Sequence, residues 1–386
     1  MFKHPLWLVG FRPFFTLAFL SAVLLPVLWA LVFSGVLTLP ASGLAPVQWH
    51  AHEMLFGFGW AVLGGFLLTA SKNWVKRRGM HGGPLALAAL LWLLERGAVL
   101  LPAEGPLWPL RLVLLYAFGT YVIGYLVWTL VRYRRQDTFF PDNGFFIVAL
   151  PLFLVARGLL LHLPTWTVGL TLSIGIFRLA FAVMFERTIT QFMKGTEGVT
   201  LPRHAWLDLP IKALILLGAF EALLPARVAA LVLGAAALLL FVRWVLWKPL
   251  LGLRTFGNGI MFAGYLGLVL HLALASLRYL GWGVGIGTPA THAFTFLCMG
   301  LIIPAMLIRI AQGHTARKIL FTTSDKLGFA AMGAGAFFRL VATQLWPAQY
   351  VTWVALAATG WALCFAVIGL RVVPFLWQPR LDGREH

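Results

Sequence analysis

Long apolar runs broken by short polar or basic stretches make up almost the whole chain. A helix needs about 20 consecutive apolar residues to cross a bilayer. On that scale the pattern predicts twelve spans, at roughly 14–38, 49–70, 84–101, 107–131, 145–163, 166–186, 209–224, 226–247, 257–280, 290–311, 327–345 and 349–375. The weakest is 209–224, short and separated from its neighbour only by Pro225 and Ala226. The first apolar run follows Lys3 and Arg12 and is too long for a signal-peptide core, so it is read as a retained span. The stretch 187–208, with Gly195, Gly198 and Pro202, divides the chain into two halves of six spans, about 1–193 and 194–386. The halves show no convincing repeat, and 1–386 is expected to form a single polytopic membrane domain.

Composition excludes a soluble enzyme. Of the 386 residues 61% are hydrophobic and only 11% charged, whereas a water-soluble globule carries about a quarter charged. The formal charge of +18 does not call for nucleic acid, because the basic residues alternate between loops. One set of loops holds 23 of the 30, from Lys3 and Arg12 through Lys72, Lys76, Arg77 and Arg78 to Arg371, Arg380 and Arg384. The opposite set holds only Arg111, Arg227 and Arg278. Excess Lys and Arg mark cytoplasmic loops, so both termini are expected in the cytoplasm. Cys298 and Cys364 lie inside apolar runs and indicate no disulfide framework. The expected fold is an all-α integral membrane protein, a bundle of about twelve transmembrane helices in the lipid bilayer.

Ionisable residues inside spans are costly and mark function or bundle-facing positions. Most of them fall towards the outer ends of the expected spans: His50, His52, Glu53, Glu95, Arg96, Arg157, His162, Glu221, His271, His292 and Arg339. The densest group is Trp49-His50-Ala51-His52-Glu53-Met54. On an α-helix residues i and i+3 share a face and i and i+2 do not, so His50 can meet Glu53, whereas His50 and His52 cannot bind one metal unless the helix starts after His50. Neutral imidazole is a common metal ligand, and a neighbouring carboxylate can orient its second nitrogen. With His271 and His292 at similar depth, a metal or haem site is preferred over interfacial residues bonded to water.

His314 stands apart. It follows His292 by 22 residues, about 33 Å along a continuous helix, so spacing favours a C-cap after Gly313. Met299 and Met306 share the face of His292 but are read as packing. Arg178, Glu186 and Arg187 flank the inner half of the sixth span as cavity lining or a buried ion pair. Glu95 and Arg96, adjacent on a helix, need not pair. A phosphate-binding Gly loop, a CxxCH haem attachment and a dinucleotide fingerprint are all missing.

Several blocks resemble the NnrS family. They are Phe11-Arg12-Pro13-Phe14-Phe15, the block from Trp49 to Phe58 with Gly65-Phe66-Leu67-Leu68-Thr69-Ala70, and Thr291-His292-Ala293-Phe294-Thr295 with Gly300. Gly313-His314-Thr315, His271-Leu272 and Pro379-Arg380-Leu381-Asp382-Gly383-Arg384 agree as well. The resemblance implies a multi-pass protein of the bacterial inner membrane that contains haem and copper, acts in nitric oxide metabolism or nitrosative stress and has nitric oxide or a related small molecule as ligand. The residues it marks are His50, His52, Glu53, His271, His292 and His314, and it makes His314 a candidate ligand or an inner-side functional residue. The chain departs from the family at Phe185 to Phe192, where a Gly-Arg-rich stretch is common.

Three functions compete. The first is haem and copper binding, with His52, His271 and His292 as ligands and Arg96, Arg157 and Arg339 as cationic partners for haem propionates. Copper would take the remaining imidazoles, among His50 and His314. The second is a secondary transporter with intramembrane charges along its path. The third is a redox enzyme distantly like the haem–copper oxidases, against which the sixth and seventh spans lack histidine.

Overall fold

The computed structural model describes residues 4–40, 42–137, 140–283 and 285–384, and among them the regular structure is helical throughout. Every segment expected to span is a helix. In chain order these are α1 (Phe11–Phe33), α2 (Pro46–Val75), α3 (Gly82–Ala98), α4 (Trp108–Arg132), α5 (Phe146–Leu161) and α6 (Trp166–Glu197). The series continues with α7 (Ala205–Gly218), α8 (Ala226–Leu246), α9 (Phe256–Tyr279), α10 (Pro289–His314), α11 (323–345) and α12 (Tyr350–Trp377). Among the described residues eight helices, α1, α2, α4, α6, α8, α9, α10 and α12, are long and apolar enough to cross a membrane. The chain is therefore an all-α, multi-pass membrane protein.

Two helices change register where the sequence placed its histidines. Residues Glu53–Gly59 of α2 and Ala293–Met299 of α10 are π-helical, and the α-helical turns before them end at His52 and His292. Such segments bond i to i+5, widen the turn, and concentrate at functional sites.

The chain forms two compact units. The first comprises Met1–Leu170, Leu307–Ile319 and Gly369–His386; the second comprises Thr171–Met306 and Leu320–Ile368.

In the first unit α2 lies at the centre and touches α1, α3, α4 and α5. Pro46 opens it at a position where no backbone N–H is needed, and the Gln48 side chain accepts the Ala45 N–H at 2.9 Å. Lys76 ends it in the left-handed region, with φ 51°. Gly65 lets α1 come close: a Cβ there would lie 2.7 Å from that of Phe14. The contact is fixed by polar bonds too, because the Phe11 N–H donates to Thr69 Oγ1 at 2.9 Å. Buried Arg12 donates through Nη1 to the carbonyls of Leu376 and Gln378, at 2.8 and 2.7 Å, and so caps the negative end of α12.

In the second unit α9 packs on α8 and on the π-segment of α10, while α7 packs on α8. α11 starts with a capping box, in which the Thr322 N–H donates to Asp325 Oδ2 at 2.7 Å.

Candidate functional site

In the first unit the π-segment of α2 sets a fully buried imidazole among four charged side chains. Nδ1 of His52 stands 3.0 Å from Glu53 Oε1. A carboxylate accepts only, so the ring proton sits on Nδ1 and the lone pair on Nε2. Nε2 is buried and has no hydrogen-bond partner; Glu95 Oε1, 3.9 Å away, is out of reach. Arg96 of α3 donates to Glu53 Oε1 at 2.7 Å and also pairs with Glu95. Arg157 of α5 holds Glu95 Oε1 from 3.1 Å, donates to the Leu115 carbonyl of α4, and lies 4.7 Å above the Phe56 ring. Two carboxylates and two guanidiniums pair with one another around the His52 ring.

The register of α2 makes this geometry. Glu53 is the first residue of the wider turn and faces its own neighbour. The His50 ring stacks on Trp29, centroids 4.2 Å apart and planes within 17°. Gly57 gives the Arg96 head its place, since a Cβ there would lie 2.8 Å from Nη1. The Gly57 carbonyl accepts the Trp92 indole N–H at 3.1 Å. Glu95 and Arg96, which adjacency on a helix did not require to pair, do so, because the long arginine side chain folds back to its neighbour.

In the second unit His271 of α9 uses both ring nitrogens. Nδ1 donates to the Ala290 carbonyl at 2.7 Å, and Arg178 Nη1 approaches Nε2 at 3.4 Å. Arg178 also donates to Glu221 Oε2 and to the Gly218 carbonyl, each at 2.8 Å. His292 has Nδ1 2.9 Å from both the carbonyl and the hydroxyl of Thr288. Arg339 Nη2 reaches the same hydroxyl at 3.4 Å, so Thr288 brings His292 and Arg339 to one place. Buried Glu186 pairs with Arg243 at 3.0 Å and with Arg203, which supports the ion-pair role foreseen for it. Arg243 also binds Asp208 at 3.3 Å and the Tyr265 hydroxyl at 2.8 Å.

His314, in the first unit, closes α10. Its carbonyl accepts from Arg380 Nη1 at 3.0 Å, and its ring lies 5.3 Å from that of Phe11. Among the described residues no three His, Cys, Asp or Glu side chains are gathered as a metal-ligand set.

A comparison with protein-family models matches the chain over residues 5–380 to one described as NnrS protein. The chain belongs to the NnrS family. No curated protein matches it.

The blocks that carry the NnrS resemblance divide into two kinds in the structure. Arg12 and the Pro379–Arg384 ending hold helix ends: Arg12 caps α12, and Arg380 caps α10 while binding Asp382 at 2.6 Å. That bond draws the exposed Asp382 carboxyl down to about 2. The block from Trp49 to Phe58 instead builds the His52 centre. Trp92, Trp29, Leu115 and Thr288 were missed by sequence reasoning, because apolar residues and a loop threonine carry no signal of their own. Gly57 in Phe56-Gly57-Phe58 did carry one, as a glycine inside an apolar helix often marks a close approach.

Proposed function

We propose that this NnrS protein binds haem within the bilayer through His52, and acts in nitric oxide metabolism or the response to nitrosative stress. The observation that carries the proposal is the imidazole itself: buried, fixed through Nδ1 by a carboxylate, and with Nε2 left without a partner. Metal-bound histidines have this arrangement, in which the second nitrogen donates to an acceptor and the first faces the metal. Haem would be held by a single imidazole, for which a three-residue ligand set is not required. When bound, haem would supply an iron centre able to take a small diatomic ligand. The chain's own part is to keep His52 neutral and oriented, and to exclude water from it. In the second unit His292, held through Nδ1 by Thr288, is a separate ligand candidate, with Arg339 beside it as a cationic partner. His271 fits less well, because Arg178 already faces its lone pair. Copper, which the family resemblance implies, has no donor set among the described residues, and no step is derived through it.

The proposal includes twelve spans with both termini in the cytoplasm of a bacterial inner membrane. The basic loops support it, and so do the helical segments at all twelve positions. A transporter is the rival reading, favoured by the buried Glu186–Arg243–Asp208 cluster, although each charge there is already matched. An absorption spectrum of the detergent-purified protein, with metal analysis, separates the two. A Soret band and iron near one per chain are expected; a colourless, iron-free protein from haem-replete cells favours the transporter.

A further inference from the structure

His271 is buried on α9 and touches α10 at two points. Its Nδ1 stands 2.7 Å from the Ala290 carbonyl, and its ring lies 5.1 Å from that of Phe294, centroid to centroid. His292 falls between these two points, and so does the change of helix type, since the α-helical turn Pro289–His292 gives way to the π-segment at Ala293. Two glycines let α9 come this close. A Cβ at Gly267 would lie 2.5 Å from that of Leu297, and one at Gly264 would lie 2.5 Å from Cγ1 of Ile302. Gly264, Gly267 and His271 follow one another at helical spacing, so a single face of α9 runs along the π-segment.

The partners of the ring fix its tautomer. A carbonyl only accepts, so the proton is on Nδ1, and the lone pair on Nε2 faces Arg178 Nη1 at 3.4 Å. Arg178 is itself anchored, because its Nη2 donates to Glu221 Oε2 and to the Gly218 carbonyl at 2.8 Å each. A metal ion on Nε2 would stand beside that guanidinium, and two cations repel strongly in a buried setting. The ring is thus well placed to hand a fixed position from one helix to another, and badly placed to ligate.

We infer that His271 is a positioning residue. It joins the Arg178–Glu221 pair, on α6 and the turn after α7, to the Ala290 carbonyl, and so sets where α10 turns π-helical and which way His292 points. The backbone carries the constraint over a single turn: the His292 N–H bonds to the Thr288 carbonyl at 3.1 Å, and the Ala290 carbonyl lies inside that turn. The consequence for His292 as a ligand rests on the function proposed above; the tie to α10 does not.

Amide hydrogen exchange of the full-length apoprotein in detergent provides the test, read by mass spectrometry over residues 289–299, with Glu53–Gly59 of the first unit as control. In His271→Leu exchange over 289–299 should quicken about tenfold while the control stays as in wild type. His271→Gln, which can donate to the Ala290 carbonyl and accept from Arg178, should return most of the protection. Should the Leu variant not purify, Arg178→Lys should quicken exchange at the same residues, because lysine lacks the planar fork that spans Glu221, the Gly218 carbonyl and the ring. Haem or metal held at His292 should follow the same order, lowered in His271→Leu and kept in His271→Gln; equal loss from both would make His271 a ligand. Exchange that is unchanged in His271→Leu, or as fast in His271→Gln as in His271→Leu, overturns the inference. Because exchange is read without haem, a failure of the haem proposal leaves this result standing.

Discussion

Glu53 and His52 are neighbours in the chain and partners in space, Oε1 to Nδ1 at 3.0 Å in a fully buried setting. Residues i and i+1 do not face each other on a regular α-helix. The pair forms where α2 passes into its π-segment, and it fixes which nitrogen of His52 carries the proton. It ties a local irregularity of the backbone to the chemistry proposed for the site.

Glu53→Gln removes the charge and leaves an amide of similar shape. The ring loses its charge-assisted bond, and Arg96 is left with Glu95 alone. Loss of such an orienting partner costs about 10–100-fold in metal affinity. Haem titration into the purified apoprotein should show a fall of that order, with the variant still inserted in the membrane.

Glu95→Leu acts differently, through stability. Glu95 answers Arg157 at 3.1 Å and Arg96 beside it, and its removal leaves buried guanidiniums short of a counter-charge. Breaking one side of a buried pair costs about 3–5 kcal/mol. Denaturation in mixed micelles should show that loss, and a Glu95→Leu/Arg157→Leu double variant should recover part of it.

His314→Ala should spare haem. The ring lies against Phe11 and the carbonyl serves Arg380, contacts that hold the end of α10 and are separate from the His52–Glu53 pair. The expected cost is about 1 kcal/mol from the lost ring contact, seen as a small drop in Tm at an unchanged haem-to-protein ratio. Loss of haem from this variant would make His314 a ligand.

Topology follows from the loops. A reporter fused after His386 and another inserted near Arg77 should both read cytoplasmic, and one near Gly43 external. Opposite sides for the first two would break the twelve-span count.

The helices were legible because burial in lipid demands long apolar runs, and among the described residues eight of them are long and apolar enough to cross a membrane. The candidate residues were legible because His52, Glu53, Arg96 and Arg157 are charged or polar where only a bundle interior tolerates them. Their partnerships were not. The i, i+3 rule led from Glu53 towards His50 and gave no hint of the Glu53–His52 pair, because it presumes 3.6 residues per turn and the π-segment begins at Glu53. Nor did helix geometry call for the Glu95–Arg96 pair, because it counts Cα directions and not the reach of an arginine. Thr288 lies in a loop, and only the fold brings it to both His292 and Arg339.

The central claim is that His52 holds haem, and the haem-to-protein ratio of His52→Gly measured beside wild type tests it most directly. Gly leaves a hole where the ring was, so the same sample can be read with and without added imidazole. The account predicts that the Soret absorbance is lost from a membrane-inserted, monodisperse protein and returns when imidazole fills the hole. Full haem content in His52→Gly without imidazole would contradict it.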